Sequence, residues 1–178
     1  MRVFFAVRLS EEIQDRLCSV LHRLRPCCAK GRFTPRENLH VTLVFLGETA
    51  PERLPETRAA MEAVSAEPFS LHIGGMGCFR RSGGDLYWAG VERSAPLCRL
   101  YDSLCGELQK RGFPTDDRPY RPHLTLVRQA VLSEGCDRGA FVVPAMRMKV
   151  EKFSLMKSEQ AGGRRLYTEI GAKNLERA

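Results

Sequence analysis

Apolar residues recur along this chain in two rhythms. Ile13, Leu17, Val20, Leu21 and Leu24 follow one another at three- and four-residue steps, the period of an amphipathic helix. Ser10 stands before them as an N-cap, Glu11 and Glu12 suit the positive end of the helix dipole, and Pro26 ends the run. A second helix is predicted over 51–64, with Pro51 in its first turn. A third follows from Leu97, Leu100, Tyr101, Leu104 and Leu108, stopped by Gly112 with Pro114 beyond. Compact or alternating apolar runs predict strands over 3–9, 39–46, 69–79, 86–91, 124–127, 148–156 and 165–170. Gly47 closes the second strand, and the Gly-rich stretch 80–85 joins the third to the fourth as a hairpin.

Strands and helices in this order do not alternate as a doubly wound parallel sheet requires, so the pattern predicts an α+β fold with mixed or antiparallel sheets backed by helices. No linker rich in Pro, Gly or Ser divides residues 1–178, which read as one domain made of two similar lobes. The longest apolar runs, such as 41–46, are strand-sized and far below the roughly 18 residues of a spanning helix. Arg8 interrupts any signal-peptide core, so the expectation is a soluble cytoplasmic protein without a membrane partner.

Composition changes this picture little. Of the 178 residues, 43% are hydrophobic and 28% charged, which excludes a disordered chain. The 7 cysteines are odd in number and contain no C-x-x-C, so they read as reduced, small apolar residues. A net charge of +7 favours anionic partners, nucleic acid being the commonest, although no block of consecutive basic residues marks a binding arm.

Candidate chemistry lies in a repeat. Residues 40–44 read His-Val-Thr-Leu-Val and residues 123–127 read His-Leu-Thr-Leu-Val, about half a chain apart, as a gene duplication would leave them. Side chains on a strand alternate faces, so His40 and Thr42 share one face and His123 and Thr125 share another. A lone histidine on a strand is commonly structural, and His22 and His72 are read that way. Two in a duplicated H-x-T pattern call for a chemical reason. Imidazole can give or take a proton near neutral pH, and the threonine hydroxyls can hydrogen-bond phosphate oxygens. Two histidines make an incomplete metal shell, and no H-x-H or H-E-x-x-H accompanies them, so no metal is expected. Arg128 could clamp a phosphate, but regular alternation turns it away from His123; only a strand end or a bulge brings it inward. Phe45 holds the equivalent offset in the first motif.

These motifs, with the flanks Pro35–Gly47 and Arg118–Arg128, resemble the 2H phosphoesterases (the LigT-like superfamily), and within them the RNA 2′,3′-cyclic phosphodiesterases, also called 2′-5′ RNA ligases. The resemblance runs from the first strand to the Ser158–Tyr167 segment; Phe33 stands where the family often has tryptophan. It implies a bilobal fold of two mostly antiparallel sheets around a central cleft, with helices outside and H-x-T-x motifs at 40–43 and 123–126. It implies metal-free hydrolysis of RNA 2′,3′-cyclic phosphate ends to 2′-phosphomonoesters, on tRNA fragments or cyclic nucleotides, by a monomer. It makes His40 the proton donor and His123 the proton acceptor, assisted by Thr42 and Thr125. Arg128, Tyr120, Phe45 and Phe33 are candidate substrate contacts, the aromatics as base-stacking platforms or as packing. No P-loop pattern is present, so no cofactor is expected, and ligation in the reverse sense would need no ATP. Two alternatives stay open: a non-catalytic RNA-end binding module, and a sister enzyme for a small cyclic nucleotide or ADP-ribose cyclic phosphate.

Overall fold

Nine strands and three α-helices build the described residues, 1–136 and 141–176, of this computed structural model. In chain order they are β1 (Arg2–Arg8), α1 (Glu11–Leu24), β2 (Cys28–Phe33), β3 (His40–Glu48), α2 (Leu54–Ala63), β4 (Phe69–Phe79), β5 (Asp85–Val91), α3 (Ala95–Gln109), β6 (His123–Leu132), β7 (Met146–Val150), β8 (Lys152–Ala161) and β9 (Arg164–Asn174). They form two antiparallel sheets, β3-β1-β8-β9 and β2-β6-β5-β4-β7.

The helix signals act as their chemistry dictates. Ser10 Oγ accepts the Ile13 amide at 3.4 Å, and Gly112, at φ +71°, turns the chain so that the Phe113 amide reaches the Leu108 carbonyl at 3.0 Å. Each H-x-T strand pairs with the strand that precedes the nearest long helix: β3 with β1 around α1, β6 with β5 around α3. One continuous core, with Phe5, Leu17, Leu97, Leu104, Leu124 and Phe153 fully buried, joins both sheets to the helices. β1 is buried on both faces: Val3, Phe5 and Val7 enter the main core, whereas Phe4 and Ala6 pack with Met156 and Tyr167 on the other side.

Three expectations change. β2 was not predicted, because Cys-Ala-Lys-Gly-Arg-Phe carries no apolar alternation; backbone pairing to β6 holds it as an edge strand. The single strand expected over 148–156 is two, β7 and β8, which leave Val150 and Lys152 in different sheets. The helix expected over 51–64 begins as a 3₁₀ turn at Pro51–Arg53 and is α-helical only from Leu54. Among the described residues, no helix is long and apolar enough to cross a membrane.

Candidate active site

Each catalytic candidate is set by its own strand. His40 opens β3 and His123 opens β6, and the two strands approach within 8 Å between Cα atoms. Both rings are anchored alike, by the carbonyl two residues earlier: His40 Nδ1–H donates to Asn38 O at 2.6 Å, and His123 Nδ1–H donates to Arg121 O at 2.8 Å. A carbonyl can only accept, so Nδ1 carries the proton and Nε2 of each neutral ring keeps its lone pair. Thr42 Oγ1–H donates to His40 Nε2 at 3.0 Å.

Aromatic walls surround both rings. Phe4 lies 5.0 Å from the His40 ring centre and Tyr167 meets it edge-on at 5.2 Å. Phe79 meets His123 edge-on at 5.4 Å and Trp88 lies at 6.3 Å. Burial against its wall pushes the His40 pKa down to about 4, despite the bond to Asn38; the charges of Arg128 and His123 push the same way. Arg128 and His123 are thus the cations whose charge acts on the His40 ring.

Arg128 arrives there by a β-bulge. Trp88 pairs with Thr125 and the adjacent Tyr87 with Val127, so β6 gains a residue, and Leu126 and Val127 are both fully buried. The extra residue reverses the alternation, returning Arg128 to the His123 and Thr125 face. β3 repeats the device: Ala6 pairs with Thr42 and Phe4 with Phe45, Leu43 and Val44 are both buried, and Phe45 emerges 53% exposed. Arg128 and Phe45 are thus matched positions of two bulged strands.

Comparison with known proteins then decides the family. The model of the 2′-5′ RNA ligase superfamily matches residues 9–162. The chain belongs to that superfamily. It is 34% identical over 129 residues to an RNA 2′,3′-cyclic phosphodiesterase of Archaeoglobus fulgidus, covering 72% of each chain. It is 31% identical over 175 residues to that of Escherichia coli K12, covering 95% of this chain and 93% of the relative. The crystal structure of E. coli LigT complexed with 3′-AMP superimposes with a TM-score of 0.80 at 29% identity, over 99% of this chain and 98% of that one.

Within this superfamily member the remaining candidates lie as follows. Tyr120 stacks on Tyr101, ring centres 4.1 Å apart, and its hydroxyl donates to Thr42 O at 2.9 Å, tying the segment before β6 to β3. Phe33 packs on the core with the Arg25 guanidinium 4.4 Å over its ring. Sequence reasoning missed Phe4, Phe79, Trp88 and the wall role of Tyr167, because each reaches a histidine only through tertiary packing. It also passed over Asn38, a buried residue whose carbonyl anchors His40 and whose Nδ2 donates to Arg165 O at 2.7 Å. Its place two residues before the histidine was the available signal. Among the described residues, no three His, Cys, Asp or Glu side chains stand together as a metal-binding group.

Proposed function

We propose that this protein hydrolyses RNA 2′,3′-cyclic phosphate ends to 2′-phosphomonoesters, with His40 as general acid and His123 as general base. The observation that carries the reading is the pair of imidazoles with matched backbone anchors, each leaving Nε2 for proton transfer. The names of the relatives supply the reaction class.

In the proposed step His123 Nε2 takes a proton from water as its oxygen bonds to phosphorus. The P–O3′ bond breaks on the opposite side, and O3′ receives the proton from His40 Nε2; the phosphate stays on O2′. Thr42, Thr125 and Arg128 donate to the non-bridging oxygens, where negative charge gathers. The free protein holds His40 neutral near pH 7, so the acid is loaded as substrate binds: the cyclic phosphate's charge opposes the push from Arg128 and His123. Once Nε2 is protonated, the Thr42 hydroxyl no longer donates to it and turns to the phosphate. An RNA 5′-hydroxyl in place of water would leave a 2′-5′ linkage by the same bond changes, so ligation needs no further machinery. Phe45, the exposed aromatic beside the site, is the base-stacking platform in this reading. We read the two bulged H-x-T strands as matched elements of the duplicated lobes of one domain.

Incubating the protein with EDTA and an RNA ending in a 2′,3′-cyclic phosphate, then mapping the product phosphate, tests the reading. Undiminished turnover to a 2′-phosphate is expected. Binding without turnover would favour an RNA-end binding module, and loss of turnover restored by one divalent ion would end the two-histidine mechanism.

A further inference from the structure

Beyond the histidines, β6 continues into a second feature. A pocket of about 270 Å³ is lined by Arg32, Arg81, Gly84, Leu86, Arg128 and Gln129. Its three guanidinium groups come from three separate segments: β2, the β4–β5 hairpin loop and β6. Arg32 is the direct cross-strand partner of Arg128. Among the described residues none of the three makes an ion pair, whereas neighbouring Arg80 is engaged by Asp85 at 2.5 Å. Asp85 Oδ1 also accepts the Arg81 amide at 3.4 Å, so the one carboxylate of the hairpin is spent on fixing the loop. Like charges repel, and three of them gathered without a carboxylate make a site for an anion.

The backbone here is built to hold that arrangement. Gln129 has φ +51°, the one described non-glycine residue at positive φ. Gly84, at φ +104°, lies so close that a Cβ on it would meet the Gln129 carbonyl carbon at 2.7 Å. A second register shift falls between Tyr87–Val127 and Asp85–Ala130, which places Arg128 and Gln129 side by side on the exposed surface. Strained backbone pressed against a glycine, beside unpaired cations, points to a ligand.

We propose that Arg32 and Arg81, with Arg128 shared, hold a second phosphate: the 5′-phosphate of the terminal nucleotide whose 2′,3′-cyclic phosphate lies between the histidines. This rests on the reaction proposed above and names its substrate class, a nucleic-acid end in preference to a cyclic nucleoside phosphate. Arg128 belongs to both places, since its charge reaches His40 and its side chain lines the pocket.

The test compares adenosine 2′,3′-cyclic phosphate with its 5′-phosphorylated form, at low salt. The 5′-phosphate should raise kcat/KM about tenfold or more, chiefly through KM. Arg32→Gln and Arg81→Gln should each lose most of that gain and leave the compound without a 5′-phosphate within about twofold of wild type. A second measurement does not need turnover: titration calorimetry of His123→Ala protein with adenosine 2′-phosphate and adenosine 2′,5′-bisphosphate. The bisphosphate should bind about tenfold tighter, and adding Arg32→Gln or Arg81→Gln should remove the difference. Equal binding of the two ligands, or a preference that survives both substitutions, overturns the subsite. Failure to hydrolyse either cyclic phosphate, with the binding difference intact, overturns the reaction and leaves the subsite standing.

Discussion

His40 joins a stability effect to the catalytic one proposed for it. Its folded-state pKa of about 4 lies below the unfolded value near 6.5, so between those values the unfolded chain binds a proton that the folded chain refuses. Stability is therefore whole above about pH 6.5 and falls as the pH drops toward 4, by about 3 kcal/mol at most. Urea unfolding at pH 7.5 and 4.5 should show this loss in wild type and a smaller one in His40→Gln; equal losses would place the acid sensitivity elsewhere. Ring NMR should find His40 titrating near pH 4 in the free protein and markedly higher with adenosine 2′-phosphate bound; no movement would remove the route by which the acid is loaded. The division of labour has its own test. His40→Ala and His123→Ala should each lose about 100-fold or more in kcat. A substrate whose 3′ oxygen is exchanged for a better leaving group needs no acid, so it should rescue His40→Ala and leave His123→Ala slow. Equal rescue of both would reverse or erase the roles.

At the scale of elements, two bulges repeat one device: each H-x-T strand gains a residue just past its threonine and returns the next side chain to the face of its histidine and threonine. The hint was present in the sequence, since Leu43-Val44 and Leu126-Val127 break the period of two at the same offset. Strands with apolar alternation and helices with caps were legible because each carries its own local signal. β2 was not legible, for its strand state comes from β6, and the 150–152 switch between sheets leaves no break in the apolar pattern. The H-x-T pair declared itself, while the rings around it did not, because wall residues are chosen by distant packing. Gly77 tests one wall. A Cβ there would stand 2.0 Å from the indole of Trp88, the sole tryptophan, whose ring lies 6.3 Å from that of His123. Gly77→Ala should displace the indole, shift its fluorescence and cost about 1–3 kcal/mol of stability, with turnover reduced. Unchanged emission and unchanged unfolding would show that the hairpin absorbs the methyl group without moving the wall.

For the whole molecule, the shared core matters more than the division into halves. A single hydrophobic cluster spans both sheets, and Tyr120 ties the approach to β6 onto β3, so the separation of the two histidines is set by folding. With the geometry fixed in this way, the net charge of +7 is free to act on association in the proposed complex, through contacts that displace counterions from RNA. Arg128 supplies one neutralising charge in the proposed complex, with no carboxylate partner among the described residues to compete for it. Binding of a short single-stranded RNA carrying a 2′-phosphate end should therefore weaken with salt along a straight log–log line. Arg128→Ala should lower its slope by about 0.7, the share of one phosphate on a single strand. Replacing a lysine far from the cleft by alanine changes the net charge by the same one unit and should leave the slope alone, whereas loss of the guanidinium removes a specific contact. If Arg128→Ala keeps the wild-type slope and affinity, the bulge turns that arginine to solvent and the phosphate is held by the histidine and threonine pairs alone.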